Sequence, residues 1–436
     1  MNSLLPSRSG ALSLTIAGCA FPLLAACQPD RSTYTGPYAA QVAAAVPAIE
    51  RAVGLKFKSP PKVESRTTDE VRTFLEQKFN EDTPALELAG AERAYKLFGL
   101  LPDTLDLRAY MLRLLTEQVI GYYDPSAKVL YVVSGDGTVK GSPAADVVSI
   151  TITHELVHAL QDQYFPLDSL QKTKGDNDRQ SAAQAVIEGQ ATYEQMASML
   201  GGGSFITKLP GGWDRVRQMI RDAQGQMPVF STAPMLIQET LLFPYLSGAE
   251  FVRAFKEKRP GQVPFRPLPS STKQVMHPDR FLDTLDVPTR IMLPKPTGAS
   301  VVYENDLGEF ETRLLLFQSL KDVDAAARGA AGWSGDRYFV VHTPQGDGIT
   351  WLSVWDSPVE AAEFRDLMER AIETRTGAAP GSGGRGDARR YAAKGRQLEL
   401  VAAVVQGRAA VLFTDVPAGA STKLIDLSRV KLSREP

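Results

Sequence analysis

The sequence has 436 residues, enough for two or three domains with a sizeable hydrophobic core. Lysine and arginine together number 48 and aspartate and glutamate 50, which leaves a formal net charge of -2. This balance excludes bulk charge as a means of binding nucleic acid or an anionic membrane surface, so we expect no nucleic-acid partner and look for function in local motifs.

The first 27 residues have the pattern of an export signal rather than of a folded element. Arg8 supplies a positive charge, and the apolar run 11–26 that follows is too short and too interrupted to predict a membrane-spanning helix. The run ends in Leu24-Ala25-Ala26-Cys27, which resembles the lipobox of bacterial lipoproteins, and Ile16-Ala17-Gly18-Cys19 also fits that pattern. The longer apolar run favours Cys27 as the lipidated residue. An ordinary cleaved signal peptide is the alternative.

Both cysteines lie in this segment, so the mature chain is expected to contain no cysteine except a lipidated Cys27. It therefore has no disulfide framework and no thiolate metal site. Any metal ion must therefore be bound by imidazole and carboxylate groups. The chain has four histidines: His154, His158, His277 and His342. His342 follows alternating apolar residues on a predicted strand, and we interpret it as structural.

The following 170 or so residues are predicted to be mainly helical, with one strand among them. A first helix is expected from Tyr38 to Val53, and residues 67–119 have helical periodicity. The β-rich run Lys128–Val133 predicts a strand. A long helix from about Pro143 to Phe165 and a second from about Gln180 to Leu200 come next.

Beyond residue 200 the predicted organisation changes twice. Residues 213–257 are expected to form broken helices, and the Pro- and Ser-rich residues 258–298 are expected to run over the surface. A boundary near residue 298 precedes a small α+β module. Its predicted elements are the helix Leu307–Leu320, the strands Arg337–His342 and Ile349–Trp355, the helix Pro358–Thr374 and the hairpin Gln397–Val404 with Ala409–Thr414.

The most informative motif is His154-Glu155-Leu156-Val157-His158, within the long helix. Residues four apart lie on one face of a helix, so both imidazoles can reach one ion. Glu155 then lies beside the metal and can take a proton from metal-bound water. Zinc suits imidazole and carboxylate ligands, and we predict one Zn²⁺ per chain. Two helix histidines with ordinary hydrogen bonds are the alternative.

A catalytic zinc needs a third protein ligand, for which we predict Glu188 on the second helix. If the two helices pack antiparallel across the short loop, Glu188 and His158 lie at matching depth, about 10–12 Å from the connection. Its neighbours are apolar, and Gly189 beside it permits the close approach of another backbone or a ligand. A half-exposed helix glutamate is the alternative reading. Other candidate ligands are Glu194, Asp176, Asp178 and His277.

With Glu188 on the next helix, the motif resembles the gluzincin group of zinc metallopeptidases, to which thermolysin belongs. The resemblance covers about residues 117–200. It implies that His154, His158 and Glu188 bind zinc and that Glu155 is the general base. It also implies that an edge strand before the motif helix, here Lys128–Val133, pairs with an extended peptide substrate.

The chain departs from this group four residues after Glu188. Thermolysin-like members have an aspartate there that orients a ligand histidine, whereas this chain has Thr192. Asp162, one turn after His158, is a candidate replacement. For the donor that stabilises the oxyanion we choose His277, in a Pro-rich loop. Alternative donors are Tyr122, Tyr123 and Tyr193, each of which can equally be a packing residue.

These features predict an α+β protein with a mostly helical zincin-like domain and a smaller C-terminal α+β accessory domain. The expected divisions are a lipoprotein signal peptide (1–27), a tether with the first helix (28–65), the metallopeptidase domain (66–298) and the accessory domain (299–436). We expect hydrolysis of peptide or protein substrates by a chain held through Cys27 on the outer membrane, facing the periplasm. The alternative is a non-catalytic metal-binding envelope protein that acts in assembly or peptide docking.

Overall fold

The computed structural model describes residues 34–82, 85–118, 120–133, 144–172, 174–199, 212–379, 381 and 388–434. The predicted signal segment and its lipidation residue Cys27 lie outside this part of the chain. Within it, no helix is both long and apolar enough to span a bilayer. The architecture is mixed α and β, as the sequence predicts.

The first part of the fold surrounds the motif helix. Six long helices are present, close to their predicted positions: α1 (Ala39–Val53), α2 (Thr68–Asp82), α3 (Ala85–Phe98), α4 (Leu107–Gln118), α5 (Ala144–Asp162) and α6 (Asn177–Met199). A small sheet has the order β1, β3, β2, formed by β1 (Lys62–Arg66), β2 (Gly121–Asp124) and β3 (Val129–Val133).

Burial explains why α5 is helical despite its many β-branched residues. Ile152, Leu156, Val157 and Leu160 are fully buried in a cluster with α1 and with the inner face of the small sheet. Complete burial of one such side chain contributes about 1.5–3 kcal/mol, whereas the propensity penalty of a β-branched residue is under about 1 kcal/mol. The cluster fixes α5 in the core and turns the opposite face, with both motif histidines, towards α6.

The prediction that Lys128–Val133 is an edge strand is wrong. Strand β3 is the central strand of the small sheet, parallel to β1 with Val63 opposite Leu130, and antiparallel to β2 with Tyr122 opposite Tyr131. Strand β1 comes from the end of the predicted tether. The sequence analysis did not predict this strand, because residues Lys62–Arg66 are mostly polar and exposed. Among the described residues, β2 is therefore an outer strand of this sheet and lies against the motif helix.

The middle of the chain forms shorter helices, of which the π-helical turn and the segments 249–258 and 272–276 pack against α6. They are α7 (Gly212–Gly225), α8 (Pro228–Ser231), α9 (Met235–Phe243), a π-helical turn (Pro244–Gly248), α10 (Ala249–Lys258), α11 (Thr272–Met276) and α12 (Asp279–Leu282). The expectation that residues 258–298 only run over the surface is wrong for α11, where Lys273 is 4% exposed and paired with Asp286 and Asp356. Ion pairing with distant residues permits this burial, and composition does not reveal it.

The C-terminal part is a six-stranded sheet with helices on one face. Strand order is β5, β6, β7, β10, β9, β8. Its elements are β5 (Ser300–Asn305), α13 (Gly308–Leu320), α14 (Val323–Ala330), β6 (Trp333–Thr343), β7 (Gly346–Trp355), α15 (Pro358–Thr376), β8 (Ala388–Ala393), β9 (Arg396–Val405) and β10 (Arg408–Pro417). A two-stranded ribbon pairs β4 (Arg290–Met292) with β11 (Lys431–Ser433). The predicted helices and hairpin are confirmed, and β5, α14, β8 and the ribbon are additions.

The predicted boundary near residue 298 falls just before β5, but the hydrophobic core crosses it. Phe98 of α3 packs edge-on against Tyr338 of β6 and Trp351 of β7, with ring centroids 5.3 and 5.5 Å apart. All three side chains are almost completely buried in the main core cluster. The two regions therefore share one core, and the sheet supports the helices that carry the candidate site.

Candidate metal centre

Three side chains from α5 and α6 converge on one point. The Nε2 atoms of His154 and His158 lie 3.2 Å apart, and Oε2 of Glu188 lies 3.3 Å from the first and 3.4 Å from the second. The side chains are 12%, 9% and 21% exposed in the same order. The structure thus brings together all three predicted ligands, through the antiparallel packing of the two helices.

These separations match the ligand spacing of a tetrahedral zinc site. Ligands bound at about 2.0–2.1 Å in tetrahedral geometry lie about 3.3–3.4 Å from one another. Three atoms at this spacing form one face of a tetrahedron and leave the fourth position open. Among the described residues, no fourth histidine, cysteine, aspartate or glutamate joins the group. An open fourth position is typical of catalytic rather than structural zinc.

The hydrogen bonds of the outer ring nitrogens indicate which ring atoms face the centre of the group. Nδ1 of His158 lies 2.9 Å from Oε1 of Gln161, and Nδ1 of His154 lies 3.2 Å from Oε1 of Gln195. A nitrogen that donates to an amide oxygen carries the proton, so in a neutral imidazole the other nitrogen presents a lone pair. Two lone pairs and a carboxylate oxygen then face one another in a buried site, which is unfavourable unless a positive charge lies between them.

The titration of these groups points to the same requirement. Burial disfavours the charged form of the His158 side chain, but the Glu188 carboxylate outweighs this and raises the histidine pKa to about 9. Burial also acts to raise the pKa of Glu188, but the two imidazoles hold it well below its usual range. Without a metal ion the group therefore binds a proton, and a divalent cation competes for the same place.

Glu155 lies beside this group and is held by the small sheet. Its Oε2 accepts a hydrogen bond of 2.8 Å from the backbone N–H of Tyr123 in β2. Burial raises the pKa of Glu155, and the positive charges of the neighbouring imidazoles oppose this shift. A half-buried carboxylate with a raised pKa, next to a candidate metal site but outside the ligand group, has the properties of a general base.

A cavity of about 460 Å³ opens onto the candidate metal centre. Its wall includes His158 and Glu188 on one side and Lys78 and Tyr123 on another. The remaining lining is mainly apolar and comes from α2, α4, α6 and the loop after α5: Leu75, Phe79, Leu115, Leu167, Leu170 and Ile187. A space of this size next to the candidate ligands can accommodate a large apolar group of a bound molecule.

A contact between two glycines sets the position of Glu188. Gly189 of α6 lies against Gly248 of the π-helical turn, where a Cβ on Gly189 would be 2.2 Å from a Gly248 backbone atom. The prediction that Gly189 permits a close backbone approach is confirmed. The same turn carries Tyr245, which lies close enough to Glu188 for that carboxylate to act on the pKa of its hydroxyl. Negative charge on Glu188, with burial, raises the pKa of Tyr245 well above its usual value and keeps the hydroxyl protonated.

Tyr245 is the functional candidate that sequence reasoning missed, and it replaces His277 beside the metal centre. Its ring lies 6.3 Å from the ring of His154. Nε2 of His277 instead lies 2.7 Å from Oε1 of Glu309 on α13, and its side chain is 44% exposed. One feature of the sequence pointed towards Tyr245: Pro244 interrupts a run with helical periodicity. Such an interruption can mark an irregular turn, and π-helical turns are frequent at functional sites.

The other predicted partners of the ligands have different roles. Asp162 accepts hydrogen bonds from the Tyr123 hydroxyl at 2.7 Å and from Lys128 at 2.6 Å, so it fixes the small sheet to α5 and does not contact a ligand histidine. The Thr192 hydroxyl is buried and has no hydrogen-bond partner in the described part of the chain. The histidines are oriented by two glutamines instead.

The remaining candidate ligands are paired elsewhere in the fold. Glu194 forms an ion pair with Lys256, and Asp178 accepts hydrogen bonds from Thr272. Asp176 lines a separate cavity next to Asp178. His342 pairs with Asp347 across the β6–β7 hairpin, which agrees with a structural role.

Comparison with known proteins gives two similarities. Residues 297–421, which cover most of the six-stranded sheet, match a family described as a domain of unknown function (DUF8575). A crystal structure from Chloroflexus aurantiacus, described provisionally as that of a hydrolase with a novel fold, is 19% identical. It covers 57% of this chain and 89% of its own, with a TM-score of 0.37. No curated protein matches the chain.

Proposed function

We propose that this protein is a zinc-dependent peptidase whose metal ligands are His154, His158 and Glu188. The observation that carries the proposal is the set of separations of 3.2, 3.3 and 3.4 Å between three ligand atoms in a buried site. That spacing fits one face of a zinc tetrahedron and leaves a position free for chemistry.

The metal ion and two residues beside it have different roles in the proposed hydrolysis. When bound, Zn²⁺ supplies Lewis acidity to the attacking water and to the scissile carbonyl. Glu155 accepts the proton of that water and delivers it to the leaving amine. The Tyr245 hydroxyl, which stays protonated, donates a hydrogen bond to the oxygen that gains negative charge.

Peptides are the proposed substrates because the site combines an apolar cavity with a strand edge. The cavity of about 460 Å³ has room for one large apolar side chain. Within the described part of the chain, strand β2 pairs with β3 on one side only, so its other edge can align an extended backbone next to Glu155, which accepts the Tyr123 N–H. The free edge belongs to β2, and substrate alignment is assigned to it rather than to β3.

The decisive experiment separates metal binding from catalysis. Wild-type protein and the variant Glu155→Gln are loaded with Zn²⁺, their metal content is measured, and each digests a peptide library. The variant should retain one zinc per chain, because Glu155 is outside the ligand group, and its cleavage rate should fall at least about 10²-fold because the base is lost. Cleavage by the variant at the wild-type rate would refute the proposal.

A matched control tests whether any buried carboxylate near α5 has the same effect. Asp162→Asn removes a buried carboxylate that fixes the small sheet but does not touch the ligands. This variant should lose stability and keep its zinc content, and its activity per folded molecule should fall much less than that of Glu155→Gln, because the base itself remains. An equal loss of activity in both variants would contradict the specific assignment of Glu155.

The proposed location is the bacterial cell envelope, with a lipid on Cys27. The support is the Leu24-Ala25-Ala26-Cys27 pattern at the end of an apolar run. One acyl-modified residue would hold the catalytic region at a membrane surface without a spanning helix. Expression of Cys27→Ala should move the protein from the membrane fraction to the released fraction, and retention of the variant in membranes would oppose the anchor.

A further inference from the structure

Gln161 occupies an unusual position behind the metal centre. It is fully buried between α5 and α6, three residues after His158. Its Oε1 lies 2.9 Å from Nδ1 of His158, and its Nε2 donates to the backbone carbonyl of Ile187 at 3.1 Å and to Oε1 of Gln190 at 3.0 Å. One side chain thus contacts a ligand histidine and the turn that immediately precedes Glu188.

The Ile187 carbonyl determines which way the Gln161 amide faces. A carbonyl oxygen only accepts hydrogen bonds, so the amide nitrogen must point towards it. The amide oxygen is then left facing His158, whose Nδ1 must carry a proton to donate to it. The proton on Nδ1 leaves Nε2 unprotonated in the neutral ring, aimed at Glu188 and His154.

A carboxylate cannot fill this place. Aspartate or glutamate would accept from His158 but has no donor for the Ile187 carbonyl, and two oxygens would face each other at hydrogen-bond distance in a buried site. An amide offers one donor end and one acceptor end, so it satisfies both neighbours. This explains why an amide, rather than the aspartate of thermolysin-like enzymes, orients a ligand histidine in this chain.

We propose that Gln161 is a positioning residue that selects the Nε2-binding tautomer of His158 and couples it to the helix segment that carries Glu188. The inference rests on the metal centre of the proposed function. The other ligand histidine, His154, is held less tightly. Its partner Gln195 is only partly buried, lies 3.2 Å away and, among the described residues, has no hydrogen bond to a backbone carbonyl. Substitution of Gln161 should therefore weaken Zn²⁺ binding more than substitution of Gln195.

The first test is Zn²⁺ affinity, measured by competition with a chromogenic chelator. Gln161→Met keeps the length and apolar volume but removes both polar ends, and it should weaken Zn²⁺ binding about 10–100-fold. Gln161→Glu should bind no more tightly than wild type, because its added charge comes with the loss of the donor. Unchanged affinity in the methionine variant, or tighter binding in the glutamate variant, would overturn the inference.

Gln163→Met is the matched control. Gln163 lies two residues further on, and within the described part of the chain its side chain bonds the backbone of Lys58 and Ser59, at 2.6, 3.2 and 3.0 Å. Its loss should reduce stability without changing Zn²⁺ affinity. If Gln163→Met weakens Zn²⁺ binding as much as Gln161→Met does, general loosening explains the effect and the inference is refuted.

The second test requires no variant and so does not depend on folding of a mutant. Nitrogen NMR of the Zn²⁺-loaded wild type should show His158 with a slowly exchanging proton on Nδ1 and metal on Nε2. Metal on Nδ1 would overturn the role of Gln161, while the ligand set and the peptidase activity could still stand. Conversely, full activity of Glu155→Gln would remove the proposed mechanism and leave this result intact. A wild type that binds no Zn²⁺ would overturn both.

Discussion

Substitution of Gly248 by alanine should disrupt the metal centre from outside it. A Cβ at Gly248 would lie 1.9 Å from the backbone oxygen of Ala185 on α6. The ordinary closest approach of carbon and oxygen is about 3.3 Å, so the π-helical turn and α6 must separate by about 1.4 Å. Glu188 is one turn after Ala185, so a displacement of α6 by this amount shifts Glu188 relative to both imidazoles.

The expected loss follows from the tolerance of metal coordination. Zinc–ligand distances vary by only about 0.2 Å between good sites, so a shift of about 1.4 Å removes Glu188 from the ligand set. Overpacking itself costs about 1–3 kcal/mol of unfolding free energy. Gly248→Ala should therefore combine moderate destabilisation with a loss of Zn²⁺ affinity out of proportion to it.

The assay measures chelator competition for Zn²⁺ and thermal unfolding on the same samples, with Gly225→Ala as the control. Gly225 has no atom within 4 Å of an added Cβ, so its substitution should leave both quantities near wild type. Normal Zn²⁺ affinity in folded Gly248→Ala would refute the reasoning, because the contact would then not set the position of Glu188.

Three further results are expected. Tyr245→Phe should lower kcat about 10²-fold at unchanged zinc content, since it removes one donor to the developing charge, and steady-state kinetics with metal analysis checks this. Zn²⁺ at 100 times its Kd should stabilise the fold by about 2.7 kcal/mol, and a chelator should reverse the shift in Tm. Burial raises the pKa of Glu311 to about 7 from an ordinary 4.5, so its contribution to stability is present below pH 4.5 and falls as pH rises to 7. Glu311→Gln should make the unfolding free energy fall by up to about 3 kcal/mol less between pH 5 and pH 8, and denaturant unfolding at the two pH values measures this. An unchanged fall in unfolding free energy would refute the role of Glu311.

The local features of this protein could be predicted from its sequence alone. Helical periodicity placed α5 and α6, and the four-residue spacing of His154 and His158 put both rings on one face. The length of the loop then placed Glu188 at the same depth, because helices joined by a short connection pack antiparallel. The turn between residues 404 and 409 located the C-terminal hairpin in the same way. Helical periodicity, loop length and turn signals all depend on residues that are neighbours along the chain.

Only the tertiary structure decided which groups surround these ligands. β3 became a central strand because β1, about 65 residues earlier in the chain, pairs with it. Gln161 faces His158 because the carbonyl of Ile187, from another helix, takes the other end of its amide. Tyr245 reaches Glu188 because Gly189 and Gly248 let two backbones touch. Periodicity and propensity are properties of short segments, whereas these contacts depend on how distant segments meet in a close-packed interior.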